Sequence, residues 1–367
     1  MRLPRAALAV VATVGVLITA ACGGSDPAPE SSVTTTAPST VSSVTSSSTA
    51  TPSPSSTTSS TTTAAATSTS AAATIAGPLD PLTGLKLSGN PVIAAKIENT
   101  NAGMPQYGVA DADIIYTEQV EGGLVRLIAI FHTVLPKEVG AVRSVRSTDV
   151  QLLPSFGAPI LVYSGGATAQ LRRLRSSDLI ATTEGDAGFW RSNVKRAPYN
   201  LHANLQKVAE QYPGKAKAQP LGFEFSLHDS RLRDASRISR IDVTMRNGKT
   251  SFRWVNGRYQ AYFWDEPYVD AIGTKHVFVD NVVVQRVDDT VRDGTIDPAG
   301  NPSYLTKTVG TGTFTLYRDG REITGTWHRA NSSDPTQYLD ASGKAVPFKP
   351  GRTWVLLAPA NATVGAR

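Results

Sequence analysis

Residues 113–132 read DIIYTEQVEGGLVRLIAIFH. Two strand-like runs, Asp113 to Val120 and Leu124 to His132, flank Gly122-Gly123, and the two glycines supply the backbone freedom that a hairpin turn needs. The second run is apolar nearly throughout, which marks a strand covered on both faces and so central in its sheet. Upstream, Pro91-Val92-Ile93-Ala94-Ala95-Lys96-Ile97 predicts another strand, ending at Glu98-Asn99. Downstream, Ser147 to Phe156 predicts a short helix with Ser147 as N-cap and Asp149 in its first turn. Pro159 to Ser164 predicts a buried strand, Gly165-Gly166 a turn into a helix through Arg175, and Leu201 to Tyr212 a further helix closed by Pro213-Gly214. Alternating strand and helix signals predict an α/β or α+β N-terminal domain, placed at residues 78–225.

From about Ile238 the pattern changes to β-branched and aromatic residues with turn signals at short intervals: Asn247-Gly248, Asn256-Gly257, Asp293-Gly294 and Asp319-Gly320. Strands are predicted at Tyr259 to Trp264, His276 to Arg286, Phe314 to Tyr317, Glu322 to His328 and Thr353 to Leu357. This predicts a mostly antiparallel β C-terminal domain at 226–367, with Lys215 to Ser236, rich in Pro, Gly and charge, as the boundary segment.

The N-terminus has a different composition. Arg2 and Arg5 precede an apolar run, Ala7 to Ala21, that ends in small residues before Cys22, the chain's only cysteine. This is the build of a cleavable export signal, short for a membrane-spanning helix. It resembles a bacterial lipoprotein signal (1–21) with Cys22 as the lipidated mature terminus, although Thr19 stands where that pattern has Leu or Val. A plain secretory signal or a short membrane anchor is the alternative. Residues 22–77, mostly Ser, Thr, Ala and Pro, cannot bury enough apolar surface to offset ordering entropy and predict a disordered tether. The protein is thus expected on the outer face of the bacterial cell membrane, held by lipid on Cys22, with no thiol left for disulfides or cysteine catalysis.

Export excludes nucleic acid as the counterpart of the +6 net charge and points to anionic lipid headgroups or wall polymers. The basic clusters are Arg172, Arg173, Arg175, Lys195 and Arg196, then Arg231, Arg233, Arg237 and Arg240; solvated surface is the plain alternative. No cofactor signature is present, and no metal site is expected. His132, His202, His228, His276 and His328 are scattered, and Asp288-Asp289, Asp293 and Asp297 lack the spacing of a calcium loop. Tyr259, Tyr262, Phe263, Trp264 and Tyr268 crowd one hairpin, either as sheet core or as a platform for a sugar ring.

The densest polar cluster runs from Glu98 to Arg146. Arg143 and Arg146 precede a predicted helix start, where guanidinium groups and free N–H groups can hold an anion together. With Glu121, Arg126, Asn200 and the Ser164-Gly165-Gly166 turn they form the expected ligand site; pairing of Arg143 and Arg146 with Glu118, Glu121 or Asp149 to fix a loop is the competing reading. A hydrolase acting on a cell-wall or lipid component is the alternative function, with His132 or His202 as base, Ser164 as nucleophile, or Glu118 and Glu121 as paired carboxylates. Residues three apart on one strand face opposite ways, and no Gly-x-Ser-x-Gly pattern is present.

The segments Glu98-Asn99, Met104-Pro105-Gln106-Tyr107-Gly108, Val120-Glu121-Gly122-Gly123-Leu124-Val125-Arg126 and Gly140-Ala141-Val142-Arg143-Ser144-Val145-Arg146 resemble the YerB-type lipoprotein family. Trp190-Arg191, Pro198-Tyr199-Asn200-Leu201, Gly325-Thr326-Trp327, Asp334-Pro335-Thr336 and Gly351-Arg352-Thr353-Trp354 extend the resemblance over nearly the whole folded part. It implies two domains behind a lipoprotein signal; the family's molecular function is not established, so the resemblance assigns no catalytic residues. Two positions depart from the family pattern: Ala141 replaces a proline, and Tyr199 replaces a histidine for which His202 is the nearby substitute. The expected function is an envelope lipoprotein that binds an anionic envelope ligand or an envelope protein.

Overall fold

The computed structural model describes residues 78–287 and 290–367; the expected signal peptide, Cys22 and the tether to residue 77 lie outside them. No helix among the described residues is long and apolar enough to cross a membrane. The first half contributes β1 (Ile93–Glu98), β2 (Ile114–Gln119), β3 (Val125–Phe131), α1 (Ser147–Leu152), β4 (Ile160–Tyr163), α2 (Thr168–Arg175), β5 (Ile180–Thr183) and α3 (Leu205–Glu210). The second half contributes β6 (Arg240–Met245), β7 (Gly248–Val255), β8 (Arg258–Phe263), β9 (Asn281–Val287), β10 (Gly310–Arg318), β11 (Arg321–Arg329), β12 (Gln337–Leu339), β13 (Thr353–Pro359) and β14 (Thr363–Ala366).

Strands from both sides of residue 225 hydrogen-bond into one ten-stranded sheet, ordered β12-β11-β10-β9-β13-β2-β3-β1-β4-β5. The hairpin of β2 and β3 is its centre, and β3 lies between β2 and β1 as its apolar sequence predicts. Gly122 and Gly123 turn the chain with φ of +65° and +75°, a region closed to most side chains. Most pairings of the second half are antiparallel, but β13 runs parallel to both neighbours, β2 and β9.

Strand alternation sorts the side chains onto two faces. Ile93, Ala95 and Ile97 share one face with Leu127, Ala129 and Phe131. A second sheet of β8, β7, β6 and β14 covers it, bringing Ile241, Val243, Phe252 and Ala261 into the same core. Trp354 of β13 is buried there, with Phe252 and Tyr268 edge-on and its Nε1 donating to Thr117 Oγ1 at 2.8 Å. Aromatic pairs of this geometry each add about 0.5–1.5 kcal/mol beyond their area. On the opposite face, Ala94, Ile114, Tyr116, Ile128 and Ile130 pack under Leu152, Leu153, Phe156, Leu174 and Phe348.

Local chemistry revises three expected elements. Arg146, in extended conformation, is the N-cap of α1 in place of Ser147, because the Asp149 carboxylate reaches back to accept the Arg146 N–H at 2.6 Å. Leu201–Ala203 is a strand, and α3 begins only after Asn204, whose side chain accepts the Lys207 N–H at 3.0 Å. The run His276 to Arg286 breaks into Lys275–His276, Phe278–Val279 and β9, since the Val277 N–H turns to the Tyr268 carbonyl and the Asp280 N–H to that of Arg352.

Gly325 of β11 permits a close approach: a Cβ there would run into the Leu339 carbonyl oxygen. Gly325→Ala is expected to cost about 1–3 kcal/mol through overpacking, read as a lowered urea midpoint at unchanged slope. An unchanged midpoint would mean that the β11–β12 edge gives way freely.

Candidate functional site

The alternation that builds the core also builds the polar cluster. Beyond the apolar residues, the second face of the sheet continues as Lys96 and Glu98 on β1, Glu118 on β2 and Arg126 on β3, with Glu98 and Glu118 each paired in register with Arg126. The segment 143–146 lies across this end: the Arg143 N–H donates to the Lys96 carbonyl and the Ser164 N–H to the Arg143 carbonyl. It delivers two more arginines, and α1 delivers Asp149.

At the floor, Lys96 Nζ contacts Glu118 Oε1 and donates to Asp149 Oδ1 at 2.8 Å, with all three side chains fully buried. Burial lowers the Lys96 pKa to about 8 even though Asp149 favours its charged form. Above them, Arg146 grips Glu121 with Nε 2.6 Å from Oε1 and Nη2 donating to Oε2 at 2.7 Å. Ser303 Oγ donates to the same carboxylate. Burial would raise the Glu121 pKa, but the Arg146 hydrogen bond and charge outweigh it and lower it. Arg143 Nε lies 2.7 Å from Glu98 Oε2, its Nη1 donates to the Pro198 carbonyl at 2.9 Å, and its guanidinium sits 5.4 Å from the Tyr199 ring centre.

Arg126 is the exception. It is 7% exposed, and its Nε and Nη1 are buried without a hydrogen bond to any described residue. Its nearest ion-pair contact is Glu121 Oε2 at 3.8 Å. Burial and then repulsion from Arg146 lower its pKa to about 10, against attraction from Glu98 and Glu121. The arginine–carboxylate network therefore exists, and one guanidinium within it lacks hydrogen-bond partners among the described residues.

The expected site residues separate into groups. Glu121, Arg126, Arg143 and Arg146 come together, and Ser164 and Gly165 join them through backbone bonds to Arg143 and Val145. A Cβ on Gly166 would lie 2.9 Å from Val145, whereas Gly165 faces open space. Asn200 turns elsewhere, accepting from Arg191 at 2.7 Å and donating to the Ser192 carbonyl. At the helix start, Asp149 accepts the Arg146 N–H. The catalytic candidates are not assembled: Glu118 is held by Lys96, Glu121 by Arg146, His132 by Asp80 at 3.0 Å and His202 by Glu138 at 2.8 Å. No described hydrogen bond joins any of them to another or to Ser164. His202 packs between Tyr107 and Trp190 under Gly140, while Tyr199, at the family's histidine position, reaches the cluster over Arg143. The Gly140–Ala141 bond, where the family pattern has proline, is cis.

Lys96 was missing from the expected site, and Asp149 was expected only as a partner of Arg143 or Arg146 in the competing network. The signal for Lys96 was its parity with Glu98 on β1, which becomes visible only once the register of β1 against β3 is known.

Comparison with known proteins gives a consistent answer. Residues 82–219 match the family described as "Protein of unknown function (DUF3048) N-terminal domain", and residues 241–355 match its C-terminal domain. A Bacillus subtilis (strain 168) protein named "Putative lipoprotein YerB" is 29% identical over 297 residues, 76% of this chain and 86% of that one. The crystal structure of YerB protein from Bacillus subtilis superposes with a TM-score of 0.65 at 24% identity, covering 79% of this chain and 100% of that chain. The chain belongs to this YerB-type family.

Two outcomes test the cluster. Lys96→Met strands two buried carboxylates and is expected to cost about 3–5 kcal/mol in urea unfolding; Lys96→Met with Glu118→Gln should recover part of that loss, and no recovery would place the cost elsewhere. The buried Asp80–His132 pair has a pH signature. Burial pulls the His132 pKa down, but Asp80 more than offsets this and raises it above 6.5. Burial pushes Asp80 up, but His132 and the bonds from Thr83 and Leu82 leave it below 3.8. The histidine contribution is therefore complete below 6.5 and lost as pH rises through the raised value; the aspartate contribution is complete above 3.8 and lost as pH falls through the lowered one. Unfolding free energies at pH 6 and pH 9 should differ less in His132→Gln than in the parent, and equal differences would refute the assignment.

Proposed function

We propose that this YerB-type protein is a lipid-anchored, extracytoplasmic binding protein whose arginine cluster takes an anionic group of an envelope ligand. The observation that carries the reading is Arg126, a buried guanidinium whose Nε and Nη1 have no hydrogen-bond acceptor among the described residues. A buried donor left unpaired costs free energy comparable to a lost hydrogen bond, more when it is charged. An incoming oxyanion removes that cost and is held by charge-assisted bonds in the planar geometry guanidinium favours. Glu98 and Glu121 hold Arg143 and Arg146 beside it, so the site is preorganised. Tyr199 and the open backbone at Gly165 supply a rim. Lipid on Cys22 would keep the site near the membrane surface, where anionic headgroups and wall polymers are concentrated.

The test is thermal unfolding of the full-length protein with inorganic phosphate, pyrophosphate, citrate and an anionic wall polymer. A ligand at 100 times its dissociation constant adds about 2.7 kcal/mol, a rise of about 5–10 °C for a domain of this size. Arg126→Gln should abolish the rise while leaving a cooperative transition. If no anion shifts the midpoint and Arg126→Gln alone lowers it steeply, the cluster is purely structural.

A further inference from the structure

A cleft of about 690 Å3, sharing no lining residue with the arginine cluster, opens between Asn101 with Met104-Pro105 and the hairpin that joins β8 to Glu266–Pro267. Its size falls within the roughly 300–1,000 Å3 usual for small-molecule sites. Phe263, Pro267 and Val269 complete an apolar wall. Lys195 braces the other wall by donating to the Gly103 and Met104 carbonyls at 2.7 and 2.6 Å.

Trp264 is the informative residue. Phe263 pairs with Glu266, so Trp264-Asp265 is a two-residue hairpin loop. Its backbone φ is +55°, a conformation that such loops normally give to Asn, Asp or Gly. Its indole, 42% exposed, takes part in no ring contact among the described residues. The chain thus holds a large apolar ring in water on a strained backbone, and strain of this kind, about 1–3 kcal/mol, is retained where surrounding structure and function require it. Two polar side chains line the same cleft, Asn101 and Glu266, both exposed and without a described hydrogen bond or ion pair. No cation lines it.

We propose that this cleft binds a neutral N-acetylated saccharide, with one pyranose ring stacked on Trp264. The C–H face of a pyranose is apolar and flat enough for an indole, while its hydroxyl edge needs donors and acceptors such as Asn101 and Glu266. Met104 and Pro267 offer an apolar seat for the acetamido methyl. An anionic ligand would face Glu266 with no cation to offset it, and an acyl chain would desolvate Asn101 and Glu266 without pairing them.

The test is tryptophan fluorescence of the full-length protein titrated with N-acetylglucosamine oligomers. Saturable quenching is expected in the parent. It should be lost, with affinity down about tenfold or more, in Trp264→Asn. That variant relieves the backbone strain and should unfold a few degrees higher, so lost binding cannot be lost fold. Trp264→Phe should retain weakened binding, followed by calorimetry. Quenching that persists in Trp264→Asn, or no saturable response to the oligomers while a hydrophobic peptide or acyl probe does saturate the cleft, overturns the proposal. Equal affinity for cello-oligosaccharides overturns its N-acetyl component.

Discussion

Lys96, fully buried between the carboxylates of Glu118 and Asp149, ties two central strands to the first helix, and the rest of this end of the molecule is arranged to keep that charge neutralised. Burying an ammonium ion costs several kcal/mol unless it is well paired. The surrounding composition answers that demand: Lys96, Arg126, Arg143 and Arg146 pair with Glu98, Glu118, Glu121 and Asp149 in three neighbouring groups at this end of the sheet. The network also fixes register. A slip of one residue in β1 or β3 would turn these charges onto the opposite face, against Ile241, Val243 and Phe252 of the second sheet. Charged groups therefore define the alignment of an otherwise apolar set of strands that could pair in several ways.

Much of this fold is legible in the sequence because its local signals are strong. The Gly122-Gly123 hairpin, the apolar β3, the short helix after Arg146 and the Asn-Gly and Asp-Gly turns of the second half each rest on a few consecutive residues. What escaped depends on distant partners. Nothing near Thr353–Pro359 says that it lies parallel between β2 and β9. Nothing in Leu201–Ala203 says that it pairs with Phe189–Arg191 rather than coiling into the following helix. The break of His276 to Arg286 likewise answers to carbonyls of Tyr268 and Arg352. The site follows the same division. The arginines and their carboxylates stood out as a cluster, whereas which carboxylate balances which arginine, and the part played by buried Lys96, emerge only when the strands are laid side by side.

The two candidate sites differ in chemistry. The arginine cluster is a buried set of charges in which one guanidinium has no hydrogen bond to the described residues. The cleft at Trp264 is uncharged apart from Glu266 and presents an aromatic plane.

β13 lies between β2, from the first third of the described chain, and β9, from the second half. Both neighbours precede Thr353–Pro359 in the chain, so the middle of the large sheet stays open until that segment docks. During that interval β2 has a bare row of N–H and C=O groups beside apolar side chains, the kind of edge that recruits foreign strands. Such long-range pairing also slows folding. Docking of Thr353–Pro359 is thus the event that seals the molecule, and a chain that lacks this segment would be left with an adhesive seam for proteases and chaperones to find.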